Sequence, residues 1–501
     1  MRTLAAIDVG ANAIRMAVAT LDDAGRLSII DRVREPVRLG TDVFASGSVS
    51  EEAIERVTDA FIRLRALVDR HGATQVRAVG TSALREAANQ ELVLDRVFQA
   101  SGIDVEVVSA DEEARLIFLG VASRVDLTDR RALMIDIGGG SVEISLAADG
   151  RLLSTSSFKL GAVRLLQVLE EKKYGERQFG RLVHGYVSAI EKLLRQEMGQ
   201  PVDLCVGTGG NIESLWELCR SLSGEDRGGV FSQGELDTVL KKLQSLTIAE
   251  RIHELGLRPD RADVIVPAAI VLQHVLALAG TVDVMVPQVG LREGLLADMA
   301  SASDGKRHAP PRDQLMSWAL RLGRKYAFDE PHGTTVARLA AQMFDATKAV
   351  HHLDDEHRLL LELAALLHDV GHFINVSEHH KHTYYLLTAN PILGLSEAQM
   401  AVVANVARYH RKSPPKPHHR GYMALGPKER VATSKLAALL RVADALDTQH
   451  KGKVTDLMVD SNRRQLVIRL KGDGDLLLEK WKVMKKAGMF EEVFSLKCLV
   501  E

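Results

Sequence analysis

Cysteine is scarce in this sequence: 501 residues contain three, Cys205, Cys219 and Cys498. Three cannot all pair within one chain, and none has a partner at metal-ligand spacing. A disulfide framework is therefore excluded, and free thiols point to a reducing, cytoplasmic compartment. Net charge is also missing. Lys and Arg number 64 against 66 Asp and Glu, for a formal charge of −2. Such a balance exerts no global pull on nucleic acid or membrane, so neither is expected as a partner. Positive charge for a polyanion would have to be local. No long apolar run is present either. The most apolar segment, Val264 to Gly280, is interrupted by Pro267, Gln273 and His274, and reads as a buried helix rather than a membrane span. The first residues enter a strand at once, without the apolar stretch and cleavage site of a signal peptide.

What is present is a repeat. Ile7-Asp8-Val9-Gly10-Ala11-Asn12-Ala13-Ile14-Arg15 aligns with Ile135-Asp136-Ile137-Gly138-Gly139-Gly140-Ser141-Val142-Glu143. Each copy is an apolar strand, an Asp-aliphatic-Gly turn and a second apolar strand. Each then passes a Gly-Arg-Leu hairpin, at Gly25 and at Gly150. A strand–turn–strand opening repeated about one domain apart predicts two similar α/β domains, over residues 1–125 and 126–300.

Between these landmarks the sequence predicts a helix from Ser50, as N-cap, to His71, with Gly72 closing it. A strand at Gln75–Val79, a helix after Asn89, a strand at Val105–Val108 and a helix from Asp111 follow. The second domain is expected to hold helices at Ala162–Leu169 and Phe179–Met198, and a strand at Val202–Val206 that ends in Gly207-Thr208-Gly209-Gly210-Asn211. The run from Ser301 to Pro311 reads as a linker. Beyond it histidine becomes frequent and helical patterning dominates from Arg312 to Asp447, which predicts an all-α domain over residues 310–450. Alternation at Gln465–Leu470, and again at Leu476–Leu478, predicts a small β or α+β domain over residues 454–501.

A strand ending in Asp-x-Gly places a carboxylate at the mouth of a tight turn whose backbone N–H groups can approach an anion. Two such turns in a duplicated frame are expected to face each other across a cleft, a favoured ligand position. Asp8, Asp136 and Glu143 would suit Mg²⁺, which takes a few carboxylates together with water and phosphate oxygens. The third glycine run, at Gly209, could add N–H donors at a helix start or be only a tight strand-to-helix turn.

Together with Gly80-Thr81-Ser82-Ala83-Leu84-Arg85 and Glu112-Glu113-Ala114-Arg115-Leu116, these segments resemble the exopolyphosphatase/guanosine pentaphosphate phosphohydrolase (Ppx/GppA) family in order and spacing. The resemblance implies an actin-like ATPase (RNase H-like) fold for both N-terminal domains. It implies that Glu113 is the catalytic glutamate that activates water, and that Arg85 clamps phosphate oxygens. Gly10, Asn12, Gly138, Gly139, Gly140 and Ser141 match the phosphate-cradling turns. One departure is Ala11, where the family often carries Ser. The resemblance also implies a homodimer.

In the histidine-rich part, His332, His368-Asp369 and Asp444 follow the H…HD…D order of the HD phosphohydrolase superfamily, which implies an HD-like fold. Imidazole with carboxylate is a suitable ligand set for a second divalent metal. His372 stands where HD motifs commonly carry lysine. Two basic clusters, around His382 and over Arg408, His410, Arg411 and Lys412, read as solvated loops or as a channel for a long polyphosphate chain.

The function expected first is Mg²⁺-dependent hydrolysis of the terminal phosphate of inorganic polyphosphate. Hydrolysis of pppGpp to ppGpp is the alternative within the family, because both substrates end in the same phosphoanhydride. A nucleotide-binding sensor or kinase of the actin-like fold, and a phosphohydrolase centred on the HD motif, are alternatives of other kinds.

Overall fold

The computed structural model describes residues 2–172, 202–225, 227–280, 283–301, 312–462 and 464–501, with Arg181, Gly185 and Glu191. The helix expected over Phe179–Met198 and all of the expected linker after Ser301 lie outside the described residues, those three positions apart. The chain divides into two compact units, Met1–His308 and Ala309–Glu501.

The first unit contains two sheets built to one plan. Strands β1 (Arg2–Val9), β2 (Ile14–Leu21), β3 (Leu27–Glu35), β4 (Gln75–Gly80) and β5 (Val105–Val107) form a five-stranded sheet in the order β3-β2-β1-β4-β5. Strands β6 (Arg131–Ile137), β7 (Val142–Ala148), β8 (Arg151–Phe158), β9 (Leu204–Thr208), β10 (Val230–Ser232) and β11 (Asp283–Met285) form a six-stranded sheet. Taken from β8, its order is β8-β7-β6-β9-β11-β10. Both sheets pair three antiparallel strands and then add two in parallel; the second appends antiparallel β10 at its edge. The likeness extends to single bonds. Gly10 N–H donates to Ala13 O at 3.1 Å, and Gly138 N–H donates to Ser141 O at 3.0 Å. A register shift falls at Val18/Ala19 in one copy and at the equivalent Leu146/Ala147 in the other. The central strands β1 and β6 are apolar on both faces because each is covered on both sides, as parallel-type sheets require.

Local chemistry places the helices. Ser50 Oγ accepts the Ala53 N–H and opens helix Glu51–Arg70, and Gly72 leaves it at φ +60°. Ser109 caps helix Ala110–Ala122, and three acids fill the first turn, where the helix dipole favours them. Helix Ile265–Ala279 is buried along most of its length, and Pro267 sits in its first turn, where a missing N–H costs no helical bond. Among the described residues no helix is long and apolar enough to cross a membrane.

The second unit is helical from Arg312 to Ala445. Its tail forms a three-stranded sheet of β12 (Val454–Ser461), β13 (Gln465–Gly472) and β14 (Lys497–Val500), with two helices between the last two strands. Leu477 and Leu478, expected in a strand, instead begin helix Leu477–Lys486. Leu476, Leu477 and Leu478 are three leucines in a row, which set no strand period, and the run of helix formers that follows decides the element.

Candidate active site

The two Asp-x-Gly turns meet at one cleft of the first unit, which spans about 850 Å³ including its opening to solvent. Asp8, Gly10, Asn12, Asp136, Gly138, Gly139, Ser141 and Gly209 all line it, and Glu113 joins them from helix Ala110–Ala122. The turns abut: a Cβ on Gly139 would lie 3.0 Å from the Cβ of Ala11. Gly140 is not a lining residue. It is packed under Phe44 and Ser82, where a Cβ would come within 2.4 Å of each. Gly209, at φ +85°, turns β9 into helix Gly210–Ser223 and leaves the start of that helix at the cleft. The third glycine run therefore contributes to the cleft as well as making a turn.

The acids are strongly perturbed. Burial pushes Asp136 up to about 6, partly opposed by a 2.7 Å hydrogen bond from Thr208 Oγ1. Burial and the nearby Asp136 push Glu143 up to about 7. Glu143 is not a lining residue. Ser157 donates to its Oε1 at 2.9 Å, and its buried Oε2 has no hydrogen-bond partner. Burial also raises Asp8, against the pull of Arg15. Glu113 lies well above the usual carboxylate range because it is buried and because Glu143 is near, with Arg85 opposing. Buried acids with so little compensation fit a divalent cation. Asp8 and Asp136 line the cleft, where they would hold it, and Glu143 is buried outside the lining.

Adjacent acids on one helix do different work. Glu112 is clamped by Arg115 at 2.8 and 2.9 Å, and Arg115 and Arg77 both reach the buried Asp298, at 3.0 and 2.6 Å. This network fixes the helix, while Glu113, one residue on, points to the cleft. Close packing fixes it further. A Cβ on Gly294, in helix Leu291–Ser301, would lie 1.8 Å from Leu116 O. Arg85 departs from its expected role as a phosphate clamp. It does not line the cleft; its Nη1 donates to Val108 O at 2.7 Å and to Glu113 Oε2 at 3.3 Å.

Two further cations were not singled out from sequence. The guanidinium groups of Arg15 and Arg261 would each lie 2.8 Å from a Cβ on Gly210, at the helix start. Burial, and then the charge of Arg15, pulls Arg261 down to about 9. Two close guanidiniums at a helix N-terminus suit a phosphate. The repeat itself held the signal for Arg15, which aligns with Glu143. In β1–β2 Asp8 pairs with Arg15, and in β6–β7 Asp136 pairs with Glu143.

The model of the Ppx/GppA phosphatase family matches residues 18–303, and that of the Ppx/GppA phosphatase domain III matches residues 316–484. The chain belongs to the Ppx/GppA phosphatase family. It is 28% identical over 412 residues to a guanosine-5'-triphosphate,3'-diphosphate pyrophosphatase of Vibrio vulnificus, with 81% of this chain and 80% of that protein covered. A protein of the same name from Photobacterium profundum is 27% identical over 413 residues, with the same coverage. Among solved structures, an exopolyphosphatase from Cytophaga hutchinsonii superposes with a TM-score of 0.55 at 28% identity, covering 60% of this chain and 98% of that one. A Ppx/GppA family member from Aquifex aeolicus gives 0.51 at 27%, covering 60% and 99%. The duplicated sheets of the first unit are thus the actin-like domains of a Ppx/GppA enzyme.

The second unit, which carries the Ppx/GppA domain III match, gathers a cluster of histidines and acids. His332, His368, Asp369 and Asp444 converge: each Nε2 lies 3.6 to 3.9 Å from an oxygen of each acid. Burial alone would raise Asp369, yet the charges of His368, His410 and His379 hold it well below the carboxylate range. The basic segments differ from a continuous surface channel. His410 is buried and turned inward, with Nε2 3.5 Å from Asp369 Oδ1. Arg411 contacts His379, Arg408 lies over the ring of Tyr384, His382 is half-buried and Lys412 is exposed. His379, which was not singled out as a ligand from sequence, lies 3.1 Å from Asp369.

Proposed function

We propose that this chain hydrolyses the terminal phosphoanhydride of inorganic polyphosphate and releases orthophosphate. The observation that carries the reading is Glu113, bonded to Arg85 and lining one cleft together with two glycine turns. Phosphoryl transfer asks mainly for a placed water and for neutralised charge. Glu113, a buried carboxylate whose pKa burial raises, suits a general base that takes the proton of the attacking water. The glycine-turn N–H groups, Arg15 and Arg261 would hold the phosphate oxygens. Mg²⁺, held by Asp8 and Asp136, would neutralise charge on the terminal phosphates.

The cleft lining favours the polymer. Among the described residues it includes no aromatic ring on which a guanine base could stack, and its cations, Arg15, Arg261 and Arg292, suit a bare polyanion. Hydrolysis of pppGpp is the second reading. The relatives named for that activity match 81% of this chain, whereas the exopolyphosphatase structure covers 60%.

The deciding experiment is phosphate release from long-chain polyphosphate and from pppGpp, with Mg²⁺, for the wild type and Glu113→Gln. The reading expects polyphosphate to be preferred and turnover to fall by about 10²–10⁴-fold in the variant while binding persists. Preference for pppGpp would move the substrate to the second reading. Full activity in the variant would remove Glu113 as the base.

A further inference from the structure

We infer that the cleft of the first unit continues outward into a binding track for the inner phosphates of a long polyphosphate chain, built by Arg34, Arg258 and Arg32. The track rests on the polyphosphate reading of the cleft and extends that site beyond its lining.

Strand register lays out the path. Asp8 on β1 is the cross-strand partner of Arg15 on β2, and Arg15 is the partner of Arg34 on β3. Directly paired residues point to the same face of a sheet, so these three side chains form one row. Neighbouring strands lie about 4.8 Å apart, which gives the row a length of about 10 Å. Its first two members line the cleft and the third lies outside the lining, on the edge strand of the sheet. Arg32, two residues before Arg34 on the same strand, shares that face. The row thus leads from an acid of the cleft to arginines beyond it. Residues 258–261 flank the same path. Arg261 lines the cleft, while Arg258 and Asp260, outside the lining, reach toward Arg34: Arg34 Nη2 bonds to Asp260 Oδ2, and Arg258 Nε lies 3.9 Å from Asp260 Oδ1.

Cations outnumber their acidic partners along this path. Arg34 and Arg258 share Asp260, and Arg32 and Arg292 share Glu293 at 3.6 and 3.7 Å. Arg15 lies 4.0 Å from Asp8. Arg261 bonds to Asn211 and pairs with no acid among the described residues. Six guanidiniums therefore share three carboxylates, in a chain whose formal charge is −2. Their mutual repulsion is felt at Arg34: burial pulls its pKa down, Asp260 opposes, and the charges of Arg258 and Arg15 deepen the fall. The Nε–H groups of Arg34 and Arg261 also lack any hydrogen-bond partner. Donors and positive charge in excess of acceptors call for an anion, and planar guanidinium forks match phosphate oxygens. A polyphosphate chain brings charge and acceptors at every repeat, so it can engage the whole row at once. Asp260 supplies a single carboxylate between Arg34 and Arg258, and the chain would compete with it for both.

The test is steady-state kinetics on the full chain with Mg²⁺, comparing long-chain polyphosphate with tripolyphosphate, which is expected to stay within the cleft. The quantity read is the ratio of KM for the long chain to KM for tripolyphosphate, or to its inhibition constant where it binds without being cleaved. Arg258→Met and Arg32→Met, at positions 54% and 51% exposed, are each expected to raise the ratio by about 3–10-fold. Arg258→Glu should raise it further. Arg34→Met is expected to raise the ratio, and Asp260→Asn, which removes the competing carboxylate, to lower it. A merely structural Arg34–Asp260 pair would move both variants in the same direction. A ratio unchanged in Arg258→Met and Arg32→Met, or moved the same way by Arg34→Met and Asp260→Asn, overturns the track and leaves polyphosphate hydrolysis standing. A wild type that cleaves no polyphosphate overturns the substrate reading, and the track falls with it.

Discussion

Arg85 Nη1 bonds at once to Glu113 Oε2 and to the backbone carbonyl of Val108, so one guanidinium ties the cleft glutamate to the end of β5. On the proposed function, Arg85 acts on the reaction through Glu113. Replacement by Met is expected to lower kcat by about 10–100-fold with little change in KM, within the range of general-base effects. Arg85 opposes the upward shift of Glu113. Its removal raises that pKa further, and the acid limb of the kcat–pH profile is expected to move to higher pH. An unchanged profile with reduced kcat would mean that Arg85 serves only the fold.

The raised acids make stability depend on pH in a defined direction. Asp136 titrates at about 6 and Glu143 at about 7, both above their ordinary values. An acid raised in the folded state stabilises folding below its unfolded pKa, and this contribution is lost as pH rises through the folded pKa. Without divalent metal, Tm is expected to fall between about pH 4 and about pH 7 through these two groups. On the proposed function Mg²⁺ would bind the ionised forms, so its stabilising effect is expected to be larger above neutrality than at pH near 5. Thermal melts with and without Mg²⁺ across this range check both statements. An effect of Mg²⁺ independent of pH would mean that these carboxylates do not hold it.

Arg261→Met is expected to raise KM for polyphosphate by about 10–100-fold, the size of a lost hydrogen bond to a charged group. Its kcat should change much less. Removing one of two crowded cations is also expected to leave Tm unchanged or higher, because Arg261 is held down by burial and by Arg15. Steady-state kinetics and a melt on the same preparation separate the two effects.

Gly294→Ala tests how the helix of Glu113 is held. The added methyl meets Leu116 O at 1.8 Å, and the backbone must move. A loss of about 1–3 kcal/mol in stability is expected from overpacking, with kcat falling as Glu113 shifts. Denaturant unfolding and phosphate release check it. A variant with wild-type kcat would show that the position of Glu113 does not depend on this helix crossing.

The duplicated frame could be read from the sequence because Asp8-Val9-Gly10 and Asp136-Ile137-Gly138 carry the turn chemistry in a few adjacent residues. The same locality made Ser50, Gly72 and the start of helix Gly210–Ser223 legible. Contacts between distant residues were not. Arg85 looked like a phosphate clamp because its motif says nothing of Val108 or Glu113, 23 and 28 residues away. Arg261 reaches the cleft only because the chain returns after β9. His410 sat in a basic run that resembles a surface loop, and only the fold shows it turned inward beside His379. Leu477 and Leu478 were misread because three consecutive leucines define no period.

The pairing of Asp8 with Arg15 in one hairpin and of Asp136 with Glu143 in the other breaks the equivalence of the two halves at one position. A perfectly twofold cleft would treat both ends of a bound ligand alike. Arg15 lines the cleft while Glu143, at the matching place, is buried outside the lining, so the cleft has a head and a tail. Polyphosphate carries no polarity of its own, since its chain reads the same from either end. On the proposed function, the enzyme supplies that polarity: the terminus lies toward Glu113, and the rest of the chain leaves past the arginines.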